Sequence, residues 1–144
     1  MDDCAGPLHP KAVEGLFLIN KGHYFEAHEE LEAARKDEKS QMRELYQGIL
    51  EAAVTYLHIT RGNYPGAVKV YERSMRWLKS WPETCRGVEV EQLRKDLYAA
   101  ICEVRRLGAD RLDQFDHALL KPVIFIDDDG HGGYDELGKG TFEG

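Results

Sequence analysis

Apolar residues recur at spacings of three and four between about Val88 and Leu107, and this pattern limits the possible folds more than any other feature of the chain. The two spacings alternate along six apolar residues, Val90, Leu93, Leu97, Ala100, Val104 and Leu107. Residues spaced in this way form one stripe along a helix, and neighbouring helices must cover that stripe. The pattern therefore predicts one seam of a helical bundle.

Proline and glycine residues delimit four further helical segments. Proline suits the first turn of a helix and stops a helix that has already formed, whereas glycine suits the exit. The predicted segments run from about Pro10 to Lys21, from about Tyr24 to Asp37, from about Ser40 to Arg61, and from the end of the turn 62–66 to just before Pro82. We therefore expect an all-α protein, an antiparallel bundle of about five helices.

A Gly-x-Tyr turn occurs twice, at Gly22 and at Gly62, and each copy leads into an amphipathic helix. The arrangement resembles tetratricopeptide-type helix pairs, although two copies are too few for a solenoid. The turns either descend from an internal duplication or are two independent uses of a common helix entry. Both interpretations predict two stacked helical hairpins and a closing helix.

The composition of the chain changes after Gly108. A short apolar run from Val123 to Ile126 precedes a Gly- and Asp-rich end. The run predicts an extended segment packed on the bundle, and the end predicts a flexible acidic tail. The expected organisation is a helical bundle domain over residues 1–108 and a C-terminal extension over residues 109–144.

Charge and cysteine content restrict the class of protein. The net charge of −7 argues against nonspecific binding to DNA or to an anionic membrane. Cys4, Cys85 and Cys102 form no C-x-x-C pair, so neither a zinc ribbon nor a disulfide framework is expected. No run of 18 apolar residues and no signal-peptide pattern occurs. We expect a cytoplasmic protein without a membrane partner.

Polar residues border the apolar faces of the second and third helices. At 100° per residue, His28 and Glu32 lie one turn apart beside the buried stripe of the second helix. Gln47, Glu51 and His58 fall within about 40° of one another on the third helix. If the two helices pack antiparallel, these edges converge. The converging group would be His28, Glu29, Glu32, Gln47, Glu51 and His58.

Three interpretations of this group are open. The six side chains could satisfy one another as a structural hydrogen-bond network. They could bind a small ligand or a divalent transition metal such as zinc, iron or manganese, because imidazole and carboxylate together suit these ions. They could also catalyse a reaction, with Glu29 as general base. The metal ligands would be His28, Glu32, Glu51 and His58.

The fourth helix carries a basic strip next to aromatic residues. The strip consists of Lys69, Arg73, Arg76 and Lys79, and the aromatic residues are Tyr71, Trp77 and Trp81. Such a combination could bind RNA. The simpler interpretation is a solvated charged face with both tryptophans in the core, so nucleic-acid binding is not expected.

Three motifs of the chain resemble a known family. "GHYFEAHEELEAAR", "LYQGILEAAVTYLH" and "RGNYPGAVKVYERS" follow one another between about Leu16 and Leu78. They are similar to the bacterial and archaeal family catalogued as domain of unknown function 309. The resemblance implies an all-α bundle and a cytoplasmic protein, and it implies no established activity. It places His28, Glu29 and Glu32 at the centre of the family motif.

One residue departs from the family pattern, because Arg35 stands where the family has tryptophan. The site is therefore expected to be more open than in the family, or Arg35 is expected to pair with Glu32 or Glu29. The leading functional hypothesis is a small binding or interaction module, a homodimer among the options, with a polar cleft at His28, Glu32, Gln47 and Glu51. The alternatives are a metal-dependent hydrolase and an RNA-binding helical module.

Overall fold

The computed structural model describes residues 2–126 and confirms the predicted all-α bundle of five helices. The helices are α1 (Pro10–Asn20), α2 (Tyr24–Asp37), α3 (Met42–Thr60), α4 (Tyr64–Leu78) and α5 (Val90–Leu107). Strands β1 (Thr84–Cys85) and β2 (Val88–Glu89) precede α5, and short 3-10 helices occupy Asp2–Cys4, Ala109–Gln114 and His117–Leu119. The predicted flexible tail lies outside the described residues.

The two Gly-x-Tyr turns have the same backbone structure. Gly22 and Gly62 both adopt positive φ, of 82° and 71°, a conformation that glycine enters at little cost. In each turn the glycine N–H bonds to the carbonyl three residues earlier, and the next N–H bonds to the carbonyl five residues earlier. Each turn therefore ends one helix and starts the next in the same way, which produces the hairpins α1–α2 and α3–α4.

Helix α4 begins earlier than the sequence predicted. We expected it to start after Gly66, but it starts at Tyr64. The side chain of Asn63 accepts a hydrogen bond from the Gly66 N–H at 3.2 Å and so caps the helix. Pro65 suits the first turn, where its missing N–H would have had no partner within the helix.

The hydrophobic core lies between the hairpins and α5. Helix α3 packs against both α2 and α4, and it is buried on most sides. The rings of Tyr24 and Tyr56 meet edge to face in this core, with their centroids 5.6 Å apart. The apolar stripe predicted for α5 is buried along its whole length. Within residues 2–126, no helix combines the length and the apolar character needed to cross a membrane.

A two-stranded hairpin occupies the region where the fifth helix was predicted to start. Val88 pairs with Cys85 across the hairpin, and α5 begins at Val90. The two residues of the turn, Arg86 and Gly87, both have positive φ, of 47° and 85°. This is the backbone of a type I′ turn, whose twist matches that of paired strands.

The predicted extended segment packs against this hairpin. Phe125 forms a bridge with Val88, and its ring lies 5.1 Å from that of Phe17 on α1. The side chain of Asn20 donates to the Val123 carbonyl at 2.9 Å and accepts from the Val123 N–H at 2.7 Å. Residues 121–126 are therefore joined to both the hairpin and α1.

The expectation of no disulfide is wrong, because Cys4 and Cys85 are joined. The two cysteines lie 81 positions apart in sequence, and no local motif connects them. They meet because the N-terminal segment runs beside the β-hairpin, where the backbone N–H of Arg86 donates to the Cys4 carbonyl at 3.0 Å. Cys102 is a free thiol and is exposed.

Candidate functional site

His28 and Glu32 lie on the flank of α2 that is turned away from α1. On the opposite flank, the carboxylate of Glu30 lies 3.3 Å from the Lys11 ammonium of α1. Glu30 and Glu32 are two residues apart and so differ by about 200° around the helix. The flank with Glu32 and His28 is therefore on the far side of α2 from Lys11. Both side chains are half-buried.

Glu32 forms an ion pair with Arg35 within α2. The Arg35 Nη2 and Nε groups both donate to the Glu32 carboxylate, and the Lys36 ammonium lies 3.9 Å away. The hydrogen bond from Arg35 lowers the pKa of Glu32 below its ordinary value. Arg35 thus keeps Glu32 charged.

His28 and Glu29 stand beside this pair. The ring centroid of His28 lies 6.1 Å from that of Phe25, one turn earlier. Glu29, the predicted general base, is exposed to solvent.

Glu51 links α3 to α4. Its carboxylate accepts hydrogen bonds from Gln47 Nε2 at 2.6 Å and from Arg73 Nε at 3.0 Å. Glu51 is buried. Both carboxylate oxygens therefore have a partner, as a buried charge requires.

Arg73 and Trp77 were named from the sequence only in the basic strip and its aromatic neighbours, and not as part of the predicted site. Arg73 was expected on a solvated strip, and both tryptophans were expected in the core. Trp81 is buried, but 39% of Trp77 is exposed, so the interpretation was wrong for Trp77. Arg73 and Trp77 are spaced i and i+4 on α4 and therefore share a face. This i, i+4 spacing is the sequence pattern that could have shown that the two side chains lie together.

His58 lies at the end of α3, next to the turn that leads into α4. Its Nδ1 atom lies 3.0 Å from Asn63 Nδ2, and because the amide nitrogen is a donor, Nδ1 accepts. Burial lowers the pKa of His58, and the charges of Arg61 and Arg73 lower it further. The imidazole is therefore neutral at neutral pH, and Arg73 influences His58 as well as Glu51.

We use one name, the polar face, for the residues of helices α2, α3 and α4 described above. It consists of Phe25, His28, Glu32, Arg35, Gln47, Glu51, His58, Arg73 and Trp77. Its contacts form two groups, because no hydrogen bond or ion pair within residues 2–126 joins the α2 residues to those of α3 and α4. The convergence of the six predicted residues on one site therefore stays a prediction.

The four predicted metal ligands are divided between these groups. Glu32 is paired with Arg35, Glu51 with Gln47 and Arg73, and His58 with Asn63. In the part of the chain that the structure describes, no three His, Cys, Asp or Glu side chains are arranged to hold a metal ion.

Residues 12–70 match the model of a family described as a domain of unknown function, DUF309. The matched region covers most of α1, all of α2 and α3, and the first turns of α4. It includes every residue of the polar face except Arg73 and Trp77. A comparison with curated proteins found no match.

Proposed function

Since residues 12–70 belong to the DUF309 family, we propose that this region is an interaction module whose polar face binds a second copy of the chain. The observation that carries the proposal is a pair of exposed aromatic residues at the two borders of the face. Phe25 on α2 and Trp77 on α4 are 46% and 39% exposed. Aromatic residues and arginine are enriched in the buried centres of protein interfaces.

The charges of the two outer helices favour a second copy as the partner. Helix α2 carries five acidic and two basic residues, whereas α4 carries three basic residues and one acidic residue. In a twofold dimer the same patch meets itself, so α2 of one copy can lie on α4 of the other. That arrangement pairs an acidic helix with a basic helix at both ends of the interface.

A twofold axis along the middle of the polar face would also cover the aromatic residues. Helices α2 and α4 each pack antiparallel to α3, so they run parallel to each other, and they have nearly equal lengths of 14 and 15 residues. An axis parallel to the helices lays α2 of one copy on α4 of the other with both helices running in the same direction. Phe25, in the first turn of α2, and Trp77, in the last turn of α4, then lie at opposite ends of the interface, where each ring leaves water against the second copy.

The internal ion pairs reduce the free-energy cost of covering this face on association. Glu51 and Glu32 are already hydrogen-bonded to Arg73 and Arg35, so covering them leaves no carboxylate without a partner. Fixed polar side chains also lose less conformational entropy on association. The polar groups of the face therefore orient the interface, while the aromatic residues supply most of its apolar contact.

Sedimentation velocity of the full chain tests the proposal. We expect the mass to rise with concentration from 16.4 kDa towards twice that value. The substitutions Phe25→Ser and Trp77→Ser should each shift the transition to higher concentration by at least about tenfold. Tyr98→Ser is the matched control, because Tyr98 is an exposed aromatic residue on α5, outside the polar face.

Two results would overturn the proposal. One is a wild-type chain that stays monomeric up to roughly 100 μM, where a dimer with a micromolar Kd would be saturated. The other is a dimer that Phe25→Ser and Trp77→Ser leave intact, or that Tyr98→Ser weakens to the same extent. In either case a second copy is not the partner of the polar face.

A further inference from the structure

We propose that the Cys4–Cys85 bond is a reversible redox site whose reaction partner is a dithiol reductant, and that its reduction releases the N-terminal strap. The N-terminal strap is defined here as residues 2–9, which lie between the start of the described chain and α1. The bond joins the strap to strand β1. This inference does not depend on the polar face.

The two sulfur atoms differ in their access to solvent. Cys85 is completely buried, and its Sγ lies 3.8 Å from the Sδ of Met42 on α3. Cys4 is half-buried and belongs to a single-turn 3-10 helix at the surface. A reductant therefore reaches the Cys4 side of the bond first.

Apart from this bond, the strap is held by hydrogen bonds near the surface and, at its end, by the His9 N–H, which donates to the buried Tyr46 hydroxyl at 2.9 Å. The Arg86 guanidinium donates to the carbonyls of Asp3 and Pro7. The Asp3 carboxylate accepts from the Gln41 N–H at 2.9 Å, and His9 contacts Asp37 at 2.7 Å. Water can replace exposed bonds of this kind, so each contributes little net stability.

Apolar burial contributes little further to the attachment of the strap to the bundle. Leu8 is its buried aliphatic residue. Leu8 belongs to the hydrophobic core, but all the other fully buried residues of that core lie after the strap, from Ala12 onwards. Opening the disulfide should therefore free the strap while the bundle stays folded.

The reduction is a balanced two-electron exchange. A thiolate of the dithiol attacks Cys4 Sγ and forms a mixed disulfide, while Cys85 leaves as a thiolate and takes up a proton in its apolar site. The second thiol of the reductant then displaces Cys4, which also becomes a thiol. The reductant is oxidised to its disulfide, and two electrons and two protons pass to the protein.

Such a bond fits the cytoplasmic location that the sequence predicts. Disulfides of cytoplasmic proteins are usually transient or redox-sensing, whereas purely structural disulfides belong to oxidising compartments. The proposal therefore requires that the bond open under native conditions.

Thiol counting and amide hydrogen exchange on the full chain test the proposal with dithiothreitol as the dithiol probe. Without reductant and without denaturant we expect one reactive thiol, Cys102, and with dithiothreitol we expect three. Reduction should accelerate amide exchange in residues 2–9 and 84–89 by at least about tenfold. Exchange in α2 and α3 should not change.

Variants separate release of the strap from damage to the fold. Cys4→Ser should reproduce the fast exchange without dithiothreitol, and it places serine at the half-buried end, where the core is not disturbed. Cys102→Ser should respond to dithiothreitol in the same way as the wild type, which excludes thiol exchange through the exposed cysteine. Both variants should keep the helical circular dichroism of the wild type.

Three outcomes would overturn the proposal. The first is a bond that opens only after denaturation, because it would then be purely structural. The second is a chain with three free thiols even after exposure to oxidised dithiothreitol. The third is reduction, or Cys4→Ser, that leaves the exchange of residues 2–9 unchanged.

Discussion

Arg73 of α4 donates from Nε to the carboxylate of Glu51 on α3 across a distance of 3.0 Å. Glu51 is buried, whereas 46% of the Arg73 side chain is exposed. The charge of the glutamate is therefore covered by an arginine that itself remains in contact with water. This pair connects the family motif on α3 to a helix that the motif covers only in part.

Replacing Arg73 with methionine should lower the free energy of unfolding by about 1 kcal/mol. Methionine keeps the aliphatic packing but removes one hydrogen bond from a buried carboxylate. Water can reach the vacated position, so the loss is smaller than for a fully buried pair. Urea denaturation measures the change. Arg76→Met, an exposed change on the same helix, should stay within about 0.5 kcal/mol of wild type, and an equal loss in both variants would contradict the assignment.

The pair between Glu32 and Arg35 predicts a dependence of stability on pH. The hydrogen bond from Arg35 lowers the pKa of Glu32 in the folded state, so the pair stabilises the fold above the unfolded pKa. This contribution is lost as the pH falls through the folded pKa. Arg35→Met should cost about 0.3–0.5 kcal/mol at pH 7. The difference from wild type should vanish well below pH 4, and a difference that persists there would show that Arg35 acts through packing alone.

Two buried tyrosines should respond in opposite ways to loss of the hydroxyl group. Among the described residues Tyr56 Oη has no hydrogen-bond partner, and burial raises its pKa. Tyr46 Oη accepts from the His9 N–H at 2.9 Å. Tyr56→Phe should therefore be neutral or stabilising, whereas Tyr46→Phe should lose about 1 kcal/mol. Thermal and urea unfolding of both variants tests this. A loss of more than about 1 kcal/mol in Tyr56→Phe would instead indicate a buried water on that hydroxyl.

Gly48 allows α3 and α4 to approach closely, and a methyl group there should push them apart. A Cβ atom at position 48 would lie 2.6 Å from Leu78 Cδ2 and 3.1 Å from Trp77 Cβ. Overpacking of this kind costs about 1–3 kcal/mol, and the better helix propensity of alanine returns up to about 1 kcal/mol. We expect Gly48→Ala to be destabilising by about 1 kcal/mol.

A double-mutant cycle with Leu78→Ala checks the cause of that loss. Leu78→Ala alone should cost about 2–5 kcal/mol because it leaves a cavity. The added methyl group of Gly48→Ala would occupy part of this cavity, so the double variant should cost less than the sum of the single changes. Simple additivity of the two changes, measured by urea denaturation, would exclude the proposed contact.

The helices could be predicted from the sequence because local physical rules determine them. Helix α2 spans the predicted range, Tyr24–Asp37, since Gly22 precedes it and its apolar residues form one clear stripe. The same periodicity identified the half-buried flank of His28 and Glu32. These features depend on residues within one or two helical turns of each other, which a single sequence displays directly.

The remaining features depend on contacts between distant segments. The Cys4–Cys85 bond requires the path of the N-terminal strap, which no local pattern encodes. The hairpin at Arg86 and Gly87 was not predicted, and arginine at positive φ is not expected from the sequence. Arg73 was assigned to solvent because its partner, Glu51, is 22 positions away.

The hydrogen bonds of the Asn20 side-chain amide set a lower limit on the length of a truncated chain that keeps the native contacts of α1. Asn20 belongs to the family region, yet its side chain bonds to both backbone groups of Val123, far beyond residue 70. A truncated chain that stops at residue 70, or after α5 at residue 108, would leave this amide without its partner and would uncover Phe17. Shortened versions intended for biophysics or crystallisation should therefore extend at least to Ile126.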